Sequence, residues 1–272
     1  MTRFDSTAKV HRSAEIADDV VIGAFAVIGE HVRIGAGAVI GSHVVIEGHT
    51  ELGCRNCVYP HAVIGTAPQD HTYRGEPTRV FIGDDNQIRE FVTVHRGTVK
   101  GGGVTIVGDH NMFMACSHVG HDCVIGDRNI LSNNALLAGH VRLENGCILS
   151  GSTAVHQFVT LGELAMIAGL TGTLRDVPPF MTMMADPAKP KGVNVIGMQR
   201  AGYTDEEIKS VQRAFRTIYR TDLSREKAVE EILASGEVTR PVRLLVEFVR
   251  RTEMGKLGRF LEYTRAATGD AS

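Results

Sequence analysis

The sequence has no tryptophan, and aromatic side chains make up only 6% of its 272 residues. With a net charge of −2 beside that scarcity, the composition argues against a general nucleic-acid binder, which needs a basic surface and rings for bases to stack on. No apolar run approaches the roughly 20 residues of a membrane-spanning helix, and the opening Met1-Thr-Arg-Phe-Asp lacks the apolar core of a signal peptide. A cytoplasmic protein with no membrane span is the expectation. Cysteine is scarce as well. A chain of this length, 43% hydrophobic, buries a large core without disulfides. Cys54 and Cys57 form a single Cys-x-x-Cys with no second Cys or His pair beside it, a weak signal for zinc.

What the sequence does have is a period. From Val107 to Ile167 an aliphatic or aromatic residue returns at every sixth position, through Phe113, Val119, Ile125, Leu131, Leu137, Leu143, Leu149, Val155 and Leu161. Four residues beyond each of these comes a small or short residue, Ser117, Cys123, Ala135 and Cys147 among them. Six suits neither an α-helix nor a hairpin, and it marks a parallel β-helix of hexapeptides. The small position lies two before the next aliphatic one, so both point inward along a short strand. Three residues remain to turn a corner, and the first of them is often glycine, as at Gly108, Gly120 and Gly126, which unusual corner dihedrals would favour. Three corners close a triangle of eighteen residues per coil. Residues eighteen apart then stack at about 4.8 Å.

The same period runs from Val10 to Ile64 and resumes at Ile82. It is interrupted near 66–80, where Pro68 and Pro77 break the pattern, and again near 95–106, around Gly101-Gly102-Gly103. Such loops read as excursions from the prism that bind ligand or splint neighbouring subunits. The glycine run lacks the Lys-Ser/Thr of a phosphate loop. After Ile167 the repeat fades into a connector marked by Pro178, Pro179, Pro187 and Pro190. Residues 1–190 are thus expected to form the repeat domain and 191–272 a helical one. Thr204-Asp-Glu-Glu207 is a capping box opening one helix, Ser224 caps a second and Pro241 begins a third. The first helix carries a basic stripe, Lys209, Arg213, Arg216 and Arg220, suited to a solvated face or to an acidic partner.

Stacking arithmetic locates the chemistry. His121 lies at the second corner position, eighteen residues before Gly139 and thirty-six before Gln157, while His140 falls eighteen after Asp122. One column therefore holds an imidazole, a bare glycine and an amide, flanked by His140 and His156. An imidazole can remove a proton near neutrality. A glycine one coil away can present its N–H to a developing oxyanion. Asp122, next along the corner, is placed to orient His121 if the two side chains converge.

Seven motifs, Pro68-Gln-Asp, Gly75-Glu-Pro-Thr, His95-Arg-Gly-Thr, His118-Val-Gly-His-Asp, Leu137-Ala-Gly-His, Ala154-Val-His-Gln-Phe and Asp176-Val-Pro-Pro, resemble those of the UDP-N-acetylglucosamine 3-O-acyltransferase family of lipid A biosynthesis. The resemblance covers nearly the whole chain. It implies a mainly β protein, a left-handed parallel β-helix of hexapeptide repeats followed by a small C-terminal α-helical domain, assembled as a homotrimer with active sites between subunits. It implies no metal and no bound cofactor, the acyl group arriving as a thioester on acyl carrier protein. His121 would be the general base on the sugar 3-hydroxyl and Gly139 the oxyanion-hole amide. Gln69, Asp70, His95, His118, His140, His156, Gln157, Asn194 and Arg200 would line the sugar-nucleotide and acyl paths. Gly169 would leave room for a long acyl chain, and the basic helix would receive the carrier protein. The sequence departs from the family pattern at Thr72, Pro187, Ile196 and Ala201, which keeps a 3-amino sugar open as the acceptor. Two further readings stand beside this one: a zinc lyase of the carbonic anhydrase type using His95, His118 and His121 or His140, and a noncatalytic scaffold.

Overall fold

The computed structural model of the chain describes residues 3–185, 188–236 and 238–267. Among these, short strands recur along the chain and stack into three sheets of eleven, nine and eight strands, all parallel but for one terminal hairpin. Register follows the eighteen-residue coil: Phe113 pairs with Leu131, Val119 with Leu137 and Ile125 with Leu143. In each pair of strand residues the period-six side chain is buried, and its neighbour (Met112, His118, Val124) faces outward. The result is the expected mainly β fold, a left-handed parallel β-helix with a small helical part at its C-terminal end. We call the sheet containing Phe113 the first face of the prism, that containing Val119 the second and that containing Ile125 the third.

The reason for glycine at the first corner position differs from the one expected. The left-handed φ falls two positions later and is occupied by ordinary residues, among them Phe25 (57°), His43 (58°), Asp122 (60°) and His140 (62°). Of the corner-opening glycines only Gly65 has a positive φ, 81°. Glycine is needed there because adjacent coils are so close. A Cβ at Gly23 would lie 2.8 Å from the Ser42 nitrogen, and one at Gly162 would lie 2.6 Å from the Pro179 nitrogen. At Gly53, Gly83, Gly108 and Gly126, on the edge between the third and first faces, it would meet the carboxylate or amide that caps the next coil. At Gly126 that atom is Asn145 Oδ1, which accepts the Asp127 N–H at 2.8 Å. Gly126→Ala should therefore lose about 1–3 kcal/mol of stability to overpacking, seen as a lower denaturant midpoint.

The inward small slot on this third-to-first edge holds a buried ladder, Asn56, Asn86, Asn111 and Asn129. Each Oδ1 accepts the backbone N–H of the next coil at 2.7–2.9 Å, ending at Cys147. Cys123 and Cys147 are fully buried, as their slots require, and burial pushes the Cys123 thiol up to about 12.

Both interruptions leave the prism at one edge. The first separates a second-face strand, Val63–Thr66, from a third-face strand, Arg79–Ile82; the second separates Thr93–His95 from Val104–Val107, again between those faces. One coil further on, the same edge carries His121. The loops are thus thrown out against the column that stacking arithmetic singles out.

The proline-marked connector forms an antiparallel hairpin, Met181–Met184 with Lys189–Val193, that extends the first face. Helices α1 (Val195–Arg200), α2 (Asp205–Tyr219), α3 (Arg225–Ala234), α4 (Arg240–Met254) and α5 (Phe260–Ala267) follow. Both hydrogen bonds of the Thr204–Glu207 capping box are present, Ser224 caps α3, and Pro241 stands in the first turn of α4. Ile208, Val211, Phe215 and Ile218 are buried on α2, and Lys209, Arg213, Arg216 and Arg220 are exposed on its other side. No described helix is long and apolar enough to cross a membrane.

Candidate active site

Corner backbones stack as the period requires: the His140 N–H donates to the His121 carbonyl at 2.9 Å, and that of Phe158 to the Gly139 carbonyl at 3.4 Å. The His121 ring then lies against the bare Cα of Gly139. A Cβ built on Gly139 would stand 2.5 Å from ring Cε1 and 2.7 Å from Nε2, so the imidazole occupies space that only glycine leaves. The Gly139 N–H takes no acceptor among the described residues.

Side chains at 121 and 122 do converge. With φ at 60°, Asp122 turns its carboxylate back toward the preceding residue, and its Oδ2 lies 2.8 Å from His121 Nδ1. An ionised carboxylate only accepts, so Nδ1 carries the proton and Nε2 is left with its lone pair, next to Gly139. The Asp122 side chain is completely buried. It also accepts from the Thr98 N–H at 2.8 Å and from Thr98 Oγ1 at 2.7 Å. His140 stands edge-on to His121 with centroids 5.1 Å apart and stacks on Phe158 at 4.5 Å.

A cavity of about 730 Å³ opens over this corner, lined by His121, Asp122, His140 and Gln157 from three coils, by Gln69 and Asp70 from the first loop, and by Lys100 from the second. Hydrogen bonds from the Thr72 N–H and hydroxyl, both 2.7 Å, hold the Asp70 carboxyl below the usual carboxylate range. Thr72 thus fixes Asp70. His95 and His118 pack with centroids 5.2 Å apart beneath the column. Burial, then the nearby His95 and His121, push His118 down to about 4, so it is neutral at pH 7. His156 bonds to the Gln157 carbonyl at 3.0 Å.

Other expected site residues lie elsewhere on the chain. Asn194 and Arg200 line a second cavity, of about 1030 Å³, against the outward side chains Ile130, Ile148 and Met166 of the first face. Ile196 and Ala201, two of the departures, line it too, while Pro187 lies outside the described residues. Gly169 is exposed at the edge between the first and second faces. On α2, Arg213 pairs with Glu206 at 2.8 Å, and Arg220, just past its C-terminal end, reaches the Lys191 carbonyl. The sequence reading missed Thr98, Lys100, Phe158 and, from α5, Leu261 and Thr264. Phe158 was within reach of the same arithmetic, being eighteen residues beyond His140.

Three groups able to ligate a metal, His121, Asp122 and His140, come within 4.8 Å of one another. They are not the three-histidine set of the zinc reading, and the carboxylate oxygens of Asp122 are engaged by Thr98 and His121. Cys54 and Cys57 are free and partly exposed.

The model for domain 2 of the UDP N-acetylglucosamine O-acyltransferases matches residues 176–257, and that for bacterial transferase hexapeptides matches 13–48 and 104–139. The acyl-[acyl-carrier-protein]--UDP-N-acetylglucosamine O-acyltransferase of Paraburkholderia phymatum is 46% identical over 94% of this chain and 99% of its own. The chain belongs to the UDP-N-acetylglucosamine O-acyltransferase family. The corresponding Pseudomonas putida protein is 49% identical over 85% of this chain and 90% of its own. The crystal structure of the family's Moraxella catarrhalis member is 39% identical, superposes with a TM-score of 0.87 and covers 91% of this chain and 96% of that one.

Proposed function

We propose that the chain transfers a 3-hydroxyacyl group from acyl carrier protein to the 3-hydroxyl of UDP-N-acetylglucosamine, entering lipid A biosynthesis. The observation that carries this reading is the His121 ring, held through Nδ1 by Asp122, with Nε2 against the uncovered peptide of Gly139. His121 Nε2 takes the proton of the sugar hydroxyl as its oxygen attacks the thioester carbonyl. The Gly139 N–H donates to the oxyanion that develops. When the tetrahedral centre collapses, the C–S bond breaks and the carrier thiolate takes the proton from His121. Gln69, Asp70, His140 and Gln157 surround the acceptor, His95, His118 and His156 support it, the open corner at Gly169 admits a long acyl chain, and Lys209 and Arg216 of α2 meet the acidic carrier.

Asn194 and Arg200 belong to the nucleotide site in this reading, yet they lie on the first face, away from the edge of His121. A second copy must bring them, and a closed homotrimer gives every His121 such a neighbour. His121→Ala and Arg200→Ala, each inactive alone, should regain activity when coexpressed, because mixed trimers contain wild-type junctions. Two proteins that stay inactive together would mean that both residues act from one chain. We place the enzyme in the cytoplasm with its donor. The test of the reaction is to incubate the protein with UDP-N-acetylglucosamine and a set of 3-hydroxyacyl carriers and to read product masses. A 3-amino acceptor would instead give an amide that survives mild base, and no acylated product from either acceptor would refute the reading.

A further inference from the structure

We propose that Thr98 is a positioning residue for the proton transfer, holding the Asp122 carboxylate so that Asp122 in turn holds the His121 ring. This role presupposes the acyl-transfer reaction given above. One residue spans both carboxylate oxygens: the Thr98 N–H donates to Oδ1 at 2.8 Å and its hydroxyl to Oδ2 at 2.7 Å, the oxygen that also faces His121 Nδ1. The Asp122 backbone is fixed separately, its N–H donating to Thr105 Oγ1 at 2.8 Å. Thr98 is itself 3% exposed and does not line the substrate cavity.

Its loop is shaped around the carboxylate. A Cβ on Gly97 would stand 2.7 Å from Asp122 Oδ1, and one on Gly101 would fall within the carboxylate itself, so glycine on both sides lets the backbone close over it. The same four-residue segment grips the other loop. His95 Nδ1 bonds to the Ala67 carbonyl at 2.7 Å, and Arg96 donates to the Tyr73 hydroxyl at 2.9 Å and to the Gly65 carbonyl at 2.7 Å. His95 to Thr98 therefore ties the loop that presents Asp70 to the carboxylate that orients the base. A buried carboxylate stays directed only while its hydrogen-bond donors are in place. With the hydroxyl removed, Oδ2 loses the partner that fixes it against Nδ1, and the imidazole gains a rotation unproductive for proton removal.

Thr98→Val keeps the shape and removes that hydroxyl. It should lower kcat about tenfold or more, as expected for a charge-assisted hydrogen bond, with KM for the sugar nucleotide within about twofold. Thr98→Ser should restore wild-type kcat. In proton spectra of selectively labelled enzyme, the downfield His121 Nδ1–H signal, assigned by its loss in His121→Ala, should vanish in Thr98→Val and return in Thr98→Ser. In an Asp122→Asn background, Thr98→Val should cost less than twofold more. Wild-type kcat and signal in Thr98→Val, a loss confined to KM, or a folded Thr98→Ser with neither kcat nor signal would each overturn the role. The spectral signature stands whether or not acylated sugar is formed, so its failure is separable from failure of the proposed reaction.

Discussion

Replacing His121 with alanine lowers kcat by about 10²–10⁴-fold, the range for loss of a positioned general base, and leaves thermal unfolding close to wild type. The second half follows from where the ring sits. It is partly exposed at a corner, fills no part of the aliphatic core and, among the described residues, makes its one side-chain hydrogen bond to Asp122. The first half follows from what is left: the sugar hydroxyl would attack with water as its only base, while the Gly139 N–H would still receive the oxyanion. Steady-state kinetics on the purified variant, with circular dichroism to establish the fold, decide it. Wild-type turnover in His121→Ala would remove the base from the mechanism.

Gly139→Ala should be nearly as damaging, by about 10²–10³-fold in kcat, the cost of losing an oxyanion donor's geometry. The backbone does not oppose alanine here, since Gly139 has no positive φ. The obstacle is the imidazole one coil below, whose Cε1 and Nε2 would stand 2.5 and 2.7 Å from the new methyl group. Contacts that short cannot persist, so the ring must swing off Asp122 or the two coils must part. The first outcome abolishes proton removal and the second moves the N–H from the oxyanion. His121→Ala/Gly139→Ala should then be little worse than His121→Ala alone, since the added methyl group no longer has a ring to displace. Multiplicative losses in the double variant would show that the two groups act independently.

Much of this was legible because a coil of fixed length converts sequence spacing into position. His121, Gly139 and Gln157 stack without any side chain being consulted, and Val119 over Leu137 confirms the register. The direction of Asp122 was not legible: it depends on a left-handed φ of 60° that six-residue spacing does not reveal. Thr98 lies 24 residues from its partner inside a loop with no period, so nothing in the repeat points from one to the other. The corner glycines were recognised for the wrong reason, because closeness of the next coil is a property of the stack and not of the local turn. Asn194 and Arg200 reach the first face through a hairpin and a short helix that the proline-rich connector did not announce.

The most direct measurement is a crystal structure with UDP-N-acetylglucosamine bound. The sugar 3-oxygen should lie about 2.6–3.2 Å from His121 Nε2, with Asn194 and Arg200 of an adjoining subunit on the nucleotide. A sugar seated on another edge of the prism, or a 3-oxygen beyond hydrogen-bond reach of that nitrogen, would contradict the assignment of this corner as the reaction centre.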